Sequence, residues 1–163
     1  MNRQHNYRNL KWLWLSILLM LLDIGSKYWV KTHFLFGEVL ALLPGINCYY
    51  INNSGLSFGL FGNVNLHYRW IFIWIIILII ITLIIMLCRL IEYSNYYRVS
   101  YSMIIGGALG NLFDRILHGT VVDFIDIYIK SWHWPTFNVA DIEICIGITL
   151  LIMKNYYDFL KSI

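Results

Sequence analysis

The chain has 163 residues, of which 60% are hydrophobic and only 13% charged, with a formal net charge of +3. A soluble domain carries roughly 25% charged residues, so the composition excludes a water-soluble globular protein. The mean hydropathy of +0.65 marks a membrane protein, and the slight positive balance is read as topology and not as a nucleic-acid footprint.

Arg3, Arg8 and Lys11 precede an apolar run over 12–22, the order of a secretory signal. No small-residue cleavage site follows. Asp23 and Lys27 come instead, with Tyr28 and Trp29 where an interfacial aromatic belt lies. A retained first span over about 11–30 is predicted. Asp23 and Lys27 stand at i and i+4 with the acid first, the favourable order for a helix ion pair. They either neutralise each other inside the span or help to shape a site near its outer end.

The next segment, 31–69, contains EVLALLPGINCYYI. Pro44-Gly45 suits the centre of a type II turn, which predicts a small hairpin at the membrane surface. Asn53, within NNSG at 52–55, reads by itself as a turn residue. A second span follows over 70–88, where WIFIWIIILIIITLIIML is interrupted only by Thr82. It is too long for a buried strand and long enough to cross the hydrocarbon.

The third span, 99–114, holds Gly106-Gly107-Ala108-Leu109-Gly110, a small-residue face that lets another helix approach closely. That approach would carry Asn111 and Asp114 toward the other spans. Asp114 and Arg115 are adjacent, hence about 100° apart on a helix, so each should reach across to another segment. Bracing between helices and binding of a polar backbone such as a peptide's both fit.

Between 116 and 138 lies TVVDFIDIYIKSWHWPTFN, in which VVDFIDIYI has the alternation of a strand. Asp123 and Asp126 then fall on opposite faces, and one of the two is expected to face water. Trp132, His133 and Trp134 form an interfacial anchor, with substrate contact the second reading. Asn138 and Asp141 have the spacing of a helix capping box opening the fourth span, 139–157. Outside the spans, Arg3, Arg8, Lys11, Arg89, Arg98, Lys154 and Lys161 fall on the side of the termini, against Lys31, Arg69 and Lys130 on the other. This orients both termini to the cytoplasm. Cys48, Cys88 and Cys145 are odd in number and lack metal spacing, so packing is their expected role. One domain spans the chain, without internal repeats.

An aspartate at membrane depth costs on the order of 2.5–3.5 kcal/mol, and Asp123 has no adjacent cation. Asp123 and Asp141 both fall at the outer edge of the bundle, joined by a loop that can fold back. Two carboxylates sharing a site do not both ionise easily, so one keeps its proton. The ionised member can take a proton from an attacking water while the other donates to a peptide carbonyl. A metal site built on His118, Asp114 and Asp123 is the chemical competitor, but neither HExxH nor a Cys/His cluster is present in the sequence. No Ser or Cys has a His at a recognisable nucleophile spacing.

These segments together resemble the lipoprotein signal peptidases, signal peptidase II, intramembrane aspartyl proteases of bacteria. The likeness runs in order through DIGSK at 23–27, NNSGLSF at 52–58, GGALGNLFDR at 106–115, VVDF at 121–124 and FNVAD at 137–141. The resemblance implies a mainly α membrane protein of four transmembrane helices with a small extracytoplasmic β-cradle. It implies catalysis by Asp123 and Asp141, a substrate pocket lined by Asn53, Asn111, Arg115 and Asn138, and support from Asp23, Lys27 and Asp114. No cofactor or metal is implied. The implied substrates are prolipoproteins with a diacylglyceryl cysteine, cut on its N-terminal side in the inner membrane by a monomer, and the implied inhibitors are globomycin-like peptides. Leu56-Ser57 stands where the family has two small residues, and Ile142 where a small polar residue is common. A proton-coupled transporter is the alternative, since intramembrane acids also mark proton relays, but it predicts broken spans in paired halves that this sequence lacks. A purely structural membrane subunit is the other.

Overall fold

A computed structural model describes residues 7–54, 66–90 and 95–162. Arg3 and the part of the NNSGLSF motif from Gly55 onward, with Leu56 and Ser57, lie outside the described residues. A 3-10 turn, Tyr7–Trp12, leads into helix α1, Leu13–His33; three more helices follow, α2 (Leu66–Arg89), α3 (Asn95–Leu117) and α4 (Val139–Ser162). Strands β1 (Val39–Leu43) and β2 (Ile46–Asn53) separate α1 from α2, and β3 (Val121–Ile129) with β4 (Trp132–His133) separates α3 from α4. The four strands form one antiparallel sheet in the order β1-β2-β3-β4.

The helices have 21, 24, 23 and 24 residues, which at about 1.5 Å per residue exceeds the ~30 Å of a bilayer core. Asn9–His33 and Arg69–Arg89 are also apolar enough, by length and composition, to cross a membrane. Helix α3 carries more polar residues because it is the centre of the bundle: Ser100, Ser102, Asn111, Asp114 and Arg115 are all buried. The outward faces are apolar, with Leu18 and Leu21 on α1, Trp74 and Leu78 on α2, and Ile152 and Met153 on α4 exposed.

Contacts at the two ends fix the direction of the helices. At one end Asn9 Nδ2 donates to the carbonyls of Leu87 and Leu90, Arg98 Nε donates to Asn9 Oδ1, and the Tyr97 hydroxyl lies 2.8 Å from both Asn155 Oδ1 and Asp158 Oδ2. That end gathers the start of α1, the end of α2, the start of α3 and the end of α4. At the other, Arg69 at the start of α2 donates to the carbonyls of Arg115 and Ile116 at the end of α3. The bundle therefore runs up-down-up-down, and the sheet and the polar cluster share the end opposite the termini.

Close approach comes from glycine. A Cβ on Gly106 would lie 2.9 Å from the Ser16 carbonyl oxygen of α1, one on Gly107 would meet the Ala140 carbonyl of α4, and one on Gly110 would strike the Asp23 carboxylate. The small-residue stretch thus serves two neighbours, and it seats α3 against α1 and α4 together.

The Pro44-Gly45 turn joins β1 to β2 with Gly45 at φ 89°, the positive φ that its turn position demands. The pairing of β2 with β3 sets Asn53 opposite Val121 and Ile51 opposite Asp123, with a bulge between Cys48 and Ile51. One expectation is corrected here. Neither Asp123 nor Asp126 faces water, since they are 1% and 3% exposed. Alternation does place them on opposite faces of β3, but both faces are covered, one by the helices and the other by Asn47 and the returning chain at His133. Of the three cysteines, Cys48 is buried and packs as expected, whereas Cys145 is exposed.

Candidate active site

Asn138 links the two carboxylates. It is the residue before α4, and its side-chain oxygen accepts the Asp141 N–H at 3.0 Å while its own N–H donates to Asp141 Oδ2 at 3.3 Å. This is the reciprocal arrangement of a capping box. The Asn138 amide Nδ2 also donates to Asp123 Oδ1 at 2.6 Å. A local cap predicted by spacing therefore doubles as the bridge between β3 and α4. Asn53, the last residue of β2, donates to the other oxygen of Asp123 at 2.9 Å, a partner that the turn reading of NNSG missed. Asn111 of α3 donates to Asp141 Oδ1 at 2.9 Å and accepts from Asn138 Nδ2 at 3.2 Å.

Two further acids set the backbone beneath this pair. Asp114 Oδ2 accepts the N–H of Val122, the residue before Asp123, at 3.3 Å. Asp23 Oδ1 accepts the N–H of Ala140, the residue before Asp141, at 2.9 Å. Lys27 joins them: its ammonium is 2.6 Å from Asp23, 3.2 Å from Asp114 and 3.0 Å from Asn111 Oδ1. Asp23 and Lys27 are therefore more than a self-contained i,i+4 pair. A buried ion pair gains little net stability unless its remaining polar atoms are satisfied, and the bonds to Asn111, Asp114 and Ala140 do that here.

Asp114 reaches α1 and β3, as its position beside Arg115 predicted. Arg115 Nη1 donates within its own helix, to the Asn111 carbonyl at 3.3 Å, while its charge acts on Asp141, Asp123 and Asp114. Burial pushes the Asp123 carboxyl up to about 6. The Asn53 donor works against that rise, the Asp141 charge works with it, and the Asn138 donor and Lys27 charge oppose it. Asp123 therefore holds its proton more tightly than an ordinary aspartate. The proposed metal set is not drawn together: His118 sits between Lys31 (3.3 Å) and Asp114 (3.5 Å), while Asp123 turns to the asparagines.

Asp141 borders a cavity of about 400 Å³ whose walls include Trp134, Phe137, Ile142, Cys145 and Ile146. A carboxylate at the margin of an apolar groove suits an apolar ligand carrying one polar bond.

Residues 15–157 match the family model described as Signal peptidase (SPase) II. The chain belongs to the signal peptidase II family. The matched stretch contains every residue of the polar cluster. The lipoprotein signal peptidase of Blochmanniella pennsylvanica is 69% identical over 162 residues, covering 99% of this chain and 98% of the relative. That of Yersinia enterocolitica is 44% identical, covering 90% and 87%. A solved bacterial membrane enzyme superposes with a TM-score of 0.82 at 30% identity, covering 91% of this chain and 89% of its own, and a second with 0.78 at 30%, covering 88% and 91%. Signal peptidase II membership makes the chain a membrane protease of prolipoproteins and does not favour the transporter reading.

Proposed function

We propose that the chain removes signal peptides from diacylglyceryl-modified prolipoproteins by two-aspartate catalysis, cutting on the N-terminal side of the lipidated cysteine. The observation that carries this reading is the sharing of Asn138 by Asp123 and Asp141, which ties two carboxylates from different elements into one hydrogen-bonded unit. Asp141, ionised, takes a proton from water as the water oxygen bonds to the scissile carbonyl carbon. Asp123 gives its proton to the carbonyl oxygen. On collapse of the tetrahedral intermediate, Asp141 passes its proton to the leaving nitrogen and Asp123 recovers one from the carbonyl hydroxyl, so both return to their starting states. Asn53, Asn111, Arg115 and Asn138 hold the carboxylates and orient the peptide, while Asp23, Lys27 and Asp114 fix the backbone beneath them.

In this reading all four helices span the bacterial inner membrane, both termini are cytoplasmic, a single chain suffices, and the reaction takes place at the extracytoplasmic end. The apolar wall formed by Ile142 and Ile146 faces the lipid-embedded part of the precursor. The test is cleavage of a lipid-modified precursor in detergent, with a chelator present, by Asp123→Asn and Asp141→Asn. Each variant is expected to fold with similar yield and to lose at least about a hundredfold in rate, the lower range of general acid/base contributions. Wild-type cleavage by both variants would remove the catalytic assignment, and loss of wild-type activity in chelator would revive the metal reading.

A further inference from the structure

A second cavity, of about 370 Å³, opens beside β3 and is lined by Asn47, Tyr49, Asp126, His133, Trp134 and Thr136, among others. Trp134 and Thr136 also line the cavity that holds Asp141, so the two spaces adjoin along the chain that leads from β4 to α4. The polar centre of the second is Asp126, which accepts from Asn47 Nδ2 at 2.8 Å and lies 2.8 Å from His133 Nδ1. None of these residues belongs to the cluster around Asp123.

The hydrogen bonding fixes what this cavity offers. A carboxylate only accepts, so His133 Nδ1 is the donor to Asp126. Asn47 Nδ2 gives one of its N–H groups to Asp126, and its carbonyl oxygen is an acceptor. The cavity thus presents the buried Asp126 carboxylate and the Asn47 carbonyl oxygen as acceptors, beside the aromatic side chains of Tyr49 and Trp134. The complement is a cation rich in N–H donors with an apolar stem, since carboxylate and aromatic faces both favour it.

We infer that this cavity is a subsite for a lysine or arginine side chain in the precursor segment that follows the cleaved bond. The inference rests on the peptidase reading and deepens it. A precursor bound at Asp141 leaves the site in two directions. Its apolar signal segment stays along the greasy wall of α4, and the polar segment beyond the cut passes Trp134 and Thr136 toward the sheet.

The test uses the full-length wild-type chain in detergent and three lipidated precursors that are identical except for Lys, Gln or Glu at one of the second to fifth positions after the lipidated cysteine. At one of these positions the KM for Lys is expected to be about tenfold below that for Glu, with Gln between them. Asp126→Asn should bring the Lys to Glu ratio to within about twofold, and His133→Ala should weaken it. Equal KM values for the three side chains at all four positions would overturn the inference, as would a preference that survives both substitutions. The wild-type comparison needs no variant, so a misfolding Asp126→Asn does not shield the proposal. If the wild type cleaves no lipidated precursor, the peptidase reading itself fails, which is a different outcome from cleavage without preference.

Discussion

Asn53 stabilises the charged form of Asp123, and its 2.9 Å bond opposes the burial that lifts this carboxyl to about 6. If a protonated Asp123 is the general acid, activity falls as pH rises and that proton leaves. Removing the donor in Asn53→Ala makes the carboxylate less favourable, so the proton stays to higher pH. The alkaline limb of kcat/KM, which reports the free enzyme, is expected to move up by on the order of one pH unit, or about 1.4 kcal/mol. A downward move or none would contradict the assignment. Asp123 also holds its proton more tightly folded than unfolded, against an ordinary value of 3.8. Its contribution to stability is therefore full below that value and is lost as pH rises through about 6. The aspartates themselves were legible in the sequence because an acid among Val, Phe and Ile has few innocent roles. The role of Asn53 was not legible from its own neighbours, since Asn53-Ser54-Gly55 ordinarily reads as a turn, and only the family resemblance pointed to it.

At the scale of elements, α3 and α4 meet so closely that the site depends on the absence of a methyl group. A Cβ on Gly107 would run into the Ala140 carbonyl, one residue before Asp141. Gly107→Ala is expected to lower the thermal midpoint by the equivalent of about 1–3 kcal/mol, the usual cost of overpacking, and to reduce cleavage. Gly25 on α1 gives the control, because a Cβ there would meet nothing within 4 Å. Gly25→Ala should instead stabilise its helix by about 0.5–1 kcal/mol. Equal effects from the two substitutions would mean that close packing is not what Gly107 supplies. The small-residue stretch was readable in sequence as a packing face. Its double use, Gly106 toward α1 and Gly107 toward α4, was not, because successive residues on a helix point about 100° apart and only the arrangement of neighbours says what each one meets.

For the whole molecule, the alternating directions of the four helices put residues 9, 90, 98 and 158 at one end and the sheet with the polar cluster at the other. In the proposed orientation the turn between β3 and β4 faces outward and the end of α4 faces the cytoplasm. The prediction is tested in a chain with Cys48, Cys88 and Cys145 replaced, carrying Ser131→Cys or Ser162→Cys, both exposed positions. A membrane-impermeant thiol reagent added to intact spheroplasts should label the first and not the second. Labelling of both would contradict four spans with cytoplasmic termini.

The sequence by itself determined what short-range physics controls. The long apolar runs, the Pro44-Gly45 turn, the strand VVDFIDIYI, the reciprocal cap of Asn138 and Asp141 and the presence of acids that demand partners all follow from neighbours a few residues apart. Tertiary structure alone decided which stripe of α2 packs inward, through Ile73, Ile80 and Leu87, because a helix that is apolar all round carries no sign of its buried face. It also decided that Lys27 serves Asp23, Asn111 and Asp114 at once, and that Asp126 is buried beside a cavity rather than turned to water. The reason is common to Lys27 and Asp126. A polar group held out of water takes whatever partners the fold brings within hydrogen-bonding reach, and those partners stand as many as 87 positions away along the chain.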